Sequence, residues 1–555
     1  MIKENFVKIY EESFKKNWDL PALTNYTSKE TVKYSEYATE IAKLHLLFKQ
    51  CKIKKGDKIS LVGKNNINWC TVYMATITYG AVLVPILQDF HPNDVQHIIN
   101  HSDSVLLFCS DNIWEHIDED NIENIKAVFS INDRACLYES KGGQIREFYQ
   151  QLNQYFAKVY PSGYSPDDIK YVDQSNDEVV LLNYTSGTTG FSKGVMLTGN
   201  NLAGNVTYAI TLDLLRRGEN ALSFLPLAHA YGCAFNFILP VAVGVHVTLL
   251  DKVPSPKVLM KAFADVRPHL VITVPLIIEK IYRKMIIPTI SKPTMKLALS
   301  VPLLKDRIYA KIRAKLINAF GGRFREVIIG GAAFNQEVEE FFRKIKFPFT
   351  VGYGMTECGP LISYDHNNEF VPTSCGQVLK GIMKVRIASE DPYSKVGEIQ
   401  VKGENVMKGY YKNTDATKSV FTKDGWLKTG DLGTIDENNR IFIRGRGKTM
   451  ILSGNGQNIY PEEIEAKLNN LAYVNESLII EKGGKLVALV YPDFDAMDAD
   501  GLSSETDLAQ VMETNKQKLN KIVAPFETIS SIQLFPNEFE KTPKKSIKRY
   551  LYQNY

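Results

Sequence analysis

The chain has 555 residues, of which 44% are hydrophobic and 23% are charged, and its formal net charge is +4. This is the composition of a soluble globular protein, and the length requires two or more domains. So small a net charge gives no electrostatic basis for nucleic acid as the main partner. The seven cysteines are scattered without a C-x-x-C pair, which predicts buried thiols in a reducing, cytoplasmic compartment.

The first part of the chain is predicted to alternate strands and helices. The predicted elements are helices around a short β segment near residues 31–33, strands at 58–62, 81–85 and 104–109, and helices at 68–78 and 92–100. Alternation at this spacing predicts a parallel sheet that is covered by helices on both faces.

The alternation resumes after an apolar run at residues 179–182, which predicts a buried strand. Further predicted elements are helices at 199–217, 255–266, 276–285 and 336–345, strands at 269–274, 326–329 and 349–353, and a less regular stretch at 286–305. Residues 220–250 carry no Asp, Glu, Lys or Arg, a pattern that also occurs in membrane spans. The prolines and histidines in this run, and its division into strand, helix and strand, favour a buried core segment.

The pattern changes beyond residue 376. Short alternating strands at 383–387 and 398–402 predict a smaller β-rich subdomain. The elements predicted after residue 447 form a compact α+β unit with helices at 461–468 and 505–521, a hairpin around Gly483-Gly484 and a basic end.

A loop of glycine and hydroxyl residues follows the buried strand. Residues 184–194 read Tyr-Thr-Ser-Gly-Thr-Thr-Gly-Phe-Ser-Lys-Gly. Glycines let main-chain N–H groups point at an anion, the hydroxyls add donors and Lys193 adds positive charge. The loop therefore predicts polyphosphate binding. It is not the common P-loop, because that loop requires Gly-x-x-x-x-Gly-Lys-Ser/Thr.

Three further motifs follow this loop in the chain. They are Gly-Tyr-Gly-Met-Thr-Glu at 352–357, Trp-Leu-Lys-Thr-Gly-Asp-Leu-Gly at 426–433 and Ile-Arg-Gly-Arg-Gly-Lys at 443–448. Together, in this order over nearly the whole chain, they resemble the adenylate-forming superfamily. The segments around Pro275 and at residues 322–325 most resemble those of its long-chain fatty-acid–CoA ligases. That superfamily also includes aryl-CoA ligases, beetle luciferases and peptide-synthetase adenylation domains.

The resemblance implies an α/β fold with two domains. A large N-terminal AMP-binding domain of stacked α/β sheets with a β-rich subdomain would span residues 1–446. A small, mobile α+β C-terminal domain would span residues 449–555, and the backbone near Lys448 would be the hinge between the two.

The resemblance also implies an ATP and AMP site. The residues that it implies are Thr185, Ser186, Gly187, Thr188, Thr189, Gly190, Lys193, Gly331, Ala332, Ala333, Tyr353, Gly354, Met355, Thr356, Asp431 and Arg446. Tyr353 would stack on adenine, and Asp431 would accept hydrogen bonds from the ribose hydroxyls. Glu357, a hard oxygen ligand, would bind Mg²⁺, and it is implied as a catalytic residue together with Thr188.

An acyl pocket and a CoA-side loop are implied in the same way. The sequence Leu-Pro-Leu-Ala-His at 225–229 resembles the family segment beside the carboxylate, which makes His229 a candidate catalytic gate. The implied acyl-pocket residues are His229, Val274, Pro275 and Gly330, and the implied CoA-side loop residues are Ser453, Gly454, Asn455 and Gly456.

The C-terminal tail departs from the family pattern. The family has a catalytic lysine in a Pro-x-Gly-Lys sequence, but an ungapped match puts Lys545 at the glycine and Ser546 at the lysine. Lys545 is predicted to reach the site through a shifted turn. Lys544 or Lys548 in that role, or weakened adenylation, remain open alternatives.

The function that the resemblance implies is ATP-dependent fatty-acid–CoA ligation, with ATP, Mg²⁺ and CoA as cofactor and co-substrates. Loading of a carrier protein, aryl-CoA ligation and a non-catalytic nucleotide-binding role remain alternatives. The expected partners are small molecules and not nucleic acid. Peripheral contact with the inner face of a membrane would come through the fatty-acid substrate.

Overall fold

The computed structural model describes residues 2–140, 144–185, 192–452, 458–502, 505–542, 546–553 and 555. Its largest sheet has eight strands. Their order across the sheet is Gly409–Tyr410, Lys193–Thr198, Val179–Thr185, Val82–Ile86, Lys58–Val62, Ser104–Cys109, Ala127–Ser130 and Cys136–Glu139. The five central strands, from Val179–Thr185 to Ala127–Ser130, run parallel, and the outer ones pair antiparallel. This confirms the predicted strand–helix alternation.

Three further sheets complete the α/β part. A four-stranded sheet is ordered Asn220–Ser223, His246–Leu249, Pro21–Asn25 and Thr31–Lys33. A three-stranded parallel sheet is ordered Val271–Thr273, Val327–Ile329 and Phe349–Val351, and a two-stranded ribbon pairs Tyr353–Gly354 with Leu361–Ser363. Buried side chains from all of these sheets belong to one continuous hydrophobic cluster. The residues of the predicted nucleotide motifs therefore stand on a single packed body.

The predicted β-rich region is a four-stranded antiparallel sheet. Its strands are ordered Met383–Ala388, Gly397–Gly403, Leu427–Ile435 and Ile441–Arg446. The main α-helices before residue 450 are Phe6–Lys16, Tyr34–Gln50, Ile67–Tyr79, Pro92–His101, Asp111–Trp114, Ile145–Gln150, Leu152–Val159, Gly199–Thr211, Ala230–Cys233, Leu239–Val243, Pro256–Val266, Pro275–Ile281, Ile287–Ile290, Pro293–Ser300, Pro302–Ala319, Gln336–Lys344 and Thr414–Val420.

The uncharged run is part of the core, as predicted. It forms the strand Asn220–Ser223, a helical stretch over residues 230–243 and the strand His246–Leu249. Within the described residues, no helix has the length and apolar character needed to cross a membrane.

Two of the predicted elements are wrong. The predicted helix 199–217 ends at Thr211, and the chain then turns at Asp213, whose φ of 50° is left-handed and incompatible with a continuing helix. The stretch 286–305, predicted to be less regular, is helical. Pro293 and Pro302 each stand in the first turn of a helix, where the missing N–H has no intrahelical partner to lose. These prolines begin helices and do not break them.

The C-terminal part has hydrophobic clusters of its own. Its sheet is ordered Val474–Lys482, Lys485–Pro492 and Ile529–Leu534, its helices are Pro461–Leu468, Phe494–Ala499 and Glu505–Asn520, and a short ribbon pairs Ile451–Leu452 with Asn458–Ile459. The predicted hairpin at Gly483-Gly484 joins the first two of those strands. Buried members of the large N-terminal cluster end at Ile441, and those of the C-terminal cluster begin at Ile459.

A few polar contacts join the two parts. The Arg283 guanidinium donates to the carbonyl oxygens of Asn469, at 2.5 Å, and of Val474, at 3.4 Å. The amides of Asn335 and Asn470 bond to each other at 2.6 and 3.3 Å. These contacts define the orientation of the C-terminal part in this structure.

Candidate active site

The strand before the phosphate loop and the strand after it form one antiparallel pair. Tyr184 lies opposite Gly194 and Thr185 opposite Lys193, so both described ends of the loop are held in register. A Cβ at Gly194 would lie 3.1 Å from the Tyr184 ring, which is tighter than an ordinary van der Waals contact. The loop residues Ser186, Gly187, Thr188, Thr189 and Gly190 lie outside the described residues, and their assignment stays a prediction.

Tyr410 connects Lys193 to Glu357. The Lys193 ammonium lies 5.1 Å from the centroid of the Tyr410 ring, and the Tyr410 hydroxyl donates to Glu357 Oε1 at 2.9 Å. The strand Gly409–Tyr410 pairs with Val195 and Met196, and this pairing carries the ring to that position. The main chain of Glu357 is held as well, because its carbonyl accepts from the Met407 N–H at 2.8 Å.

Tyr410 is a site residue that the sequence reasoning missed. It lies between the motifs at 352–357 and 426–433 and belongs to neither, so no role was predicted for its hydroxyl. Burial raises the pKa of Tyr410 well above its usual value, and the Glu357 carboxylate raises it further. The hydroxyl therefore stays protonated and can donate to Glu357 at every physiological pH.

The donor chemistry around Glu357 fits Mg²⁺. One oxygen, Oε1, accepts from Tyr410, and no hydrogen bond within the described residues engages Oε2. No group of three or more His, Cys, Asp and Glu side chains that could hold a metal ion occurs among the described residues. Mg²⁺ commonly takes only one or two protein carboxylates and completes its shell with water and substrate phosphates. A single carboxylate is therefore sufficient for a metal that arrives with a nucleotide.

A second cluster surrounds Asp431. Tyr353 is buried, and its hydroxyl donates to Asp431 Oδ2 at 2.6 Å. Arg446 lies opposite Asp431 in the neighbouring strand, with its Nε 3.4 Å from Oδ1. Burial raises the pKa of Asp431, against the lowering effects of Arg446 and of the Tyr353 hydroxyl. The structure thus brings together three predicted nucleotide residues from separate motifs.

The segment from Tyr353 to Glu357 links the two clusters. Tyr353 contacts Asp431 at one end of the segment, and Glu357 contacts Tyr410 at the other. Gly354 lies where a Cβ would be 2.3 Å from the Pro360 carbonyl oxygen, and Met355 donates to that oxygen at 2.9 Å. Only glycine fits this turn, so the turn fixes how the two ends of the segment are spaced. Thr356 is buried within it.

On the acyl side, Gly330 follows the strand Val327–Ile329 and faces Tyr231. A Cβ on Gly330 would lie 3.0 Å from Tyr231 Cζ. The Tyr231 hydroxyl donates to the Ile328 carbonyl at 3.1 Å, which fixes the ring against the end of the strand. His229 begins the helix that carries Tyr231, and its Nδ1 accepts from the Tyr231 N–H at 3.3 Å. Tyr231 was not predicted, although its place two residues after His229 offered a signal.

The ends of two neighbouring strands carry the predicted acyl-pocket residues Val274 and Pro275 and the predicted nucleotide residues Gly331, Ala332 and Ala333. Gly331 has a left-handed φ of 89°, and the nearest atom to a Cβ there is Val274 Cγ1, at 3.7 Å. Pro275 opens the next helix. Ala332 and Ala333 are exposed. Small residues at the end of a parallel strand leave room for a flat ring.

The hinge and tail are described in part. Thr449, next to Lys448, donates to Glu462 Oε1 at 2.7 Å, which joins the predicted hinge to the first C-terminal helix. In the tail, Lys548 pairs with Glu540 at 3.3 Å, and Arg549 forms an ion pair with Glu465. The CoA-side residues Ser453, Gly454, Asn455 and Gly456, and the tail residues Lys544 and Lys545, lie outside the described residues.

Comparisons with known proteins agree with this arrangement. The long-chain-fatty-acid–CoA ligase FadD15 of Mycobacterium bovis is 26% identical over 559 residues, which cover 93% of this chain and 89% of that protein. Two solved structures share the fold. The anthranilate CoA ligase AuaEII in complex with anthranoyl-AMP has a TM-score of 0.78 at 17% identity and covers 99% of this chain and 97% of its own. ATP-bound MatB from Rhodopseudomonas palustris has a TM-score of 0.75 at 21% identity and covers 99% of both chains.

The predicted resemblance and fold class are confirmed. The family model described as "AMP-binding enzyme" matches residues 10–411, which is well over half of the chain. The matched region includes the phosphate loop, Glu357 and Tyr410. The chain therefore belongs to the AMP-binding enzyme family, the adenylate-forming ligases.

Proposed function

We propose that the protein is an AMP-forming fatty-acid–CoA ligase. In the first half-reaction a carboxylate oxygen of the acid attacks the α-phosphorus of ATP, an acyl-adenylate forms and pyrophosphate leaves. In the second, the CoA thiolate attacks the acyl carbon, the thioester forms and AMP leaves. The division is chemically useful because a free carboxylate is a poor acyl donor, whereas AMP is a good leaving group.

One observation carries the proposal. The segment 353–357 joins a pair suited to a nucleoside, Tyr353 with Asp431, to a pair suited to a polyphosphate, Glu357 with Lys193. One end of the segment has an aromatic ring and a buried carboxylate, which match the nucleoside of ATP. The other end has a cation and a metal-binding carboxylate, which match its phosphates. The α-phosphate would then lie between them, near Thr356.

The residues would act mainly by positioning and by electrostatics. Lys193 would contact the phosphates that leave as pyrophosphate, and Glu357 would hold Mg²⁺ on them. When bound there, Mg²⁺ would offset the charge that develops on the pyrophosphate oxygens. Tyr410 would keep the Glu357 carboxylate in place, and Asp431 with Arg446 would fix the ribose. No general base is needed, because the attacking acid is already ionised at neutral pH.

The second half-reaction would use the C-terminal part in a different orientation. Rotation near Lys448 would bring the loop of residues 453–456 to the acyl-adenylate, since hinges absorb large backbone changes at a few residues. The separate hydrophobic clusters on either side of this residue support such a movement. The small side chains of the loop would leave room for the narrow thiol arm of CoA.

The fatty-acid assignment rests on the named relative and on the sequence motifs. The Mycobacterium bovis ligase acts, by its name, on long-chain fatty acids. An aryl acid is the second candidate, because the ring of Tyr231 lies against Gly330 and would offer an aromatic wall to a flat substrate. A carrier-protein thiol is the alternative to CoA.

A thioester assay with AMP readout separates these possibilities. The protein is incubated with ATP, Mg²⁺ and CoA and with each acid from acetate to oleate, and with benzoate. The proposal expects AMP and thioester with fatty acids and little with benzoate. Preference for benzoate would assign an aryl-CoA ligase, and AMP without thioester would favour carrier loading. Absence of AMP with every acid would refute the ligase proposal.

The tail lysine is tested by two single variants. If Lys545 is the lysine that contacts the carboxylate and the α-phosphate, Lys545→Ala lowers acid-dependent ATP–pyrophosphate exchange by about 100-fold, whereas Lys548→Ala keeps it. Lys548 is the matched control, because its ammonium already pairs with Glu540. Near-parent exchange in both variants would exclude Lys545 from this role, and loss only in Lys548→Ala would transfer the role to Lys548.

A further inference from the structure

A pair of helices on the N-terminal part exposes apolar side chains to solvent. The helix Pro293–Ser300 has no buried residue, and residues 304–307 near the start of the helix Pro302–Ala319 are exposed as well. Three large apolar side chains follow one another here: Leu297 is 73% exposed, Val301 43% and Leu304 45%. Exposed apolar groups scattered singly are ordinary, but several within eight residues mark an interaction surface.

The same helix pair is strongly basic. Residues 292–315 contain seven cations and one anion, a net charge of +6, whereas the whole chain carries +4. The rest of the molecule is therefore slightly acidic, and the positive charge is local. The seven cations are Lys292, Lys296, Lys305, Arg307, Lys311, Arg313 and Lys315.

These cations are not neutralised by neighbouring carboxylates. None of them forms an ion pair with a carboxylate anywhere in the described parts of the chain. Lys305 lies 5.8 Å from the centroid of the Tyr309 ring. The anchoring of the pair comes from the later turns of the second helix, where Ile312 and Leu316 are buried. The later turns of the second helix are therefore packed into the protein, whereas the basic and apolar first half of the helix pair is exposed to solvent.

We propose that this surface, residues 292–307, docks the protein on an anionic lipid bilayer. Leu297 and Leu304 would enter the boundary between headgroups and acyl chains, and the lysines would contact lipid phosphates. Both the exposed apolar side chains and the positive charge are needed to identify an anionic bilayer as the partner. Charge alone would equally attract a nucleic acid, and apolar surface alone would equally attract another protein. The lack of a membrane-spanning helix among the described residues is compatible with such a surface contact.

The proposal is independent of which acid the protein activates, because lipid binding needs neither ATP nor a substrate. It also differs from the sequence expectation of membrane contact through the substrate, since it assigns the contact to named side chains outside the candidate active site. Failure of the fatty-acid proposal would therefore leave this one standing, and failure of this one would leave the ligase chemistry untouched.

Vesicle co-sedimentation tests the surface directly. The full chain is titrated with phosphatidylglycerol vesicles and with phosphatidylcholine vesicles at low and at physiological salt. We expect binding to the anionic vesicles that weakens with salt, and little binding to the neutral ones. Equal binding to both vesicles, or binding to neither, would overturn the proposal.

Two pairs of variants separate the contributions. Lys292→Gln with Lys296→Gln is expected to weaken binding about 25-fold, at about fivefold for each lysine. Leu297→Ser with Leu304→Ser is expected to weaken it by at least about tenfold. All four positions are exposed, so the fold should survive, and the melting temperature checks this.

The matched controls lie in the second half of the chain. Lys418→Gln with Lys423→Gln removes two other exposed cations, and Tyr393→Ser removes an apolar side chain that is 60% exposed. Both controls should bind vesicles like the parent. If the control variants lose as much vesicle binding as the test variants, the effect comes from overall charge, and the proposed docking surface is refuted. Parent-like binding of the leucine variant, with equal affinity for single-stranded RNA, would assign the patch to polyanions and refute lipid docking.

Discussion

Removal of the Tyr410 hydroxyl is the sharpest test of the candidate site. Tyr410→Phe deletes the donor that lies 2.9 Å from Glu357 Oε1 and leaves the rest of the arrangement intact. The ring would still face the Lys193 ammonium, and the main-chain pairing with Val195 does not depend on the hydroxyl. The variant therefore isolates one hydrogen bond.

The size of the effect follows from the charge on the acceptor. A hydrogen bond to a charged group contributes about 1.5–3 kcal/mol, which corresponds to about 10- to 150-fold in an equilibrium constant or a rate. If the hydroxyl holds the Glu357 carboxylate in the position that Mg²⁺ requires, its loss appears mainly as weaker Mg²⁺ binding. Excess Mg²⁺ should then restore part of the activity.

The assay is acid-dependent ATP–pyrophosphate exchange, measured against free Mg²⁺ at fixed ATP. Tyr411→Phe is the matched control, because this neighbouring tyrosine donates to Asp103, at 2.7 Å, and not to Glu357. We expect the half-saturating Mg²⁺ concentration to rise in Tyr410→Phe and to stay at the parent value in Tyr411→Phe. The same Mg²⁺ curve for both variants would refute a positioning role for the hydroxyl.

Three further predictions concern other parts of the molecule. Asp431→Asn removes a buried charge next to Arg446 and should raise the KM for ATP by about 10- to 150-fold in the exchange assay, while an unchanged KM would remove Asp431 from the nucleotide site. Gly330→Ala puts a methyl 3.0 Å from Tyr231 and should lower kcat/KM for the acid but not the KM for ATP; equal effects on both would argue against an acyl-side position. His45 is buried, and burial lowers its pKa from 6.5 to about 4. Its contribution to the free energy of unfolding should therefore be complete above pH 6.5 and should fall by about 1.4 kcal/mol per pH unit towards pH 4. His45→Gln should flatten this part of the urea-unfolding profile, and an identical pH slope in both proteins would contradict it.

Part of the grouping of the predicted site residues can be anticipated from the sequence motifs. Tyr353, Asp431 and Arg446 could be named from motifs because each motif has a fixed residue order, and the structure brings all three together. Tyr410 could not, because its role depends on a pairing with residues some 215 positions earlier in the chain. Local pattern carries no information about such pairings.

Prolines explain the clearest error in secondary structure. The stretch that is predicted to be less regular contains Pro293 and Pro302, and proline disrupts helix interiors. Proline is nevertheless favoured in the first turn of a helix. When short helices follow one another directly, the neighbouring sequence does not show whether a proline lies in a first turn or in a helix interior. The helix that begins at Gly199 also ends earlier than predicted. The chain turns at Asp213 because this residue has a left-handed backbone conformation, which no local sequence signal indicates.

The contact between the N-terminal and C-terminal parts has a consequence for how the two can separate. The Arg283 guanidinium donates to the main-chain oxygens of Asn469 and Val474, and the Asn335 amide donates to the neutral amide of Asn470. No ion pair joins the two parts within the described residues. Water can replace each of these partners as the surfaces move apart, so separation breaks no ion pair among the described residues. We therefore expect the rate of reorientation to depend only weakly on ionic strength, and side-chain substitutions at residues 469 and 474 to leave the Arg283 contact in place.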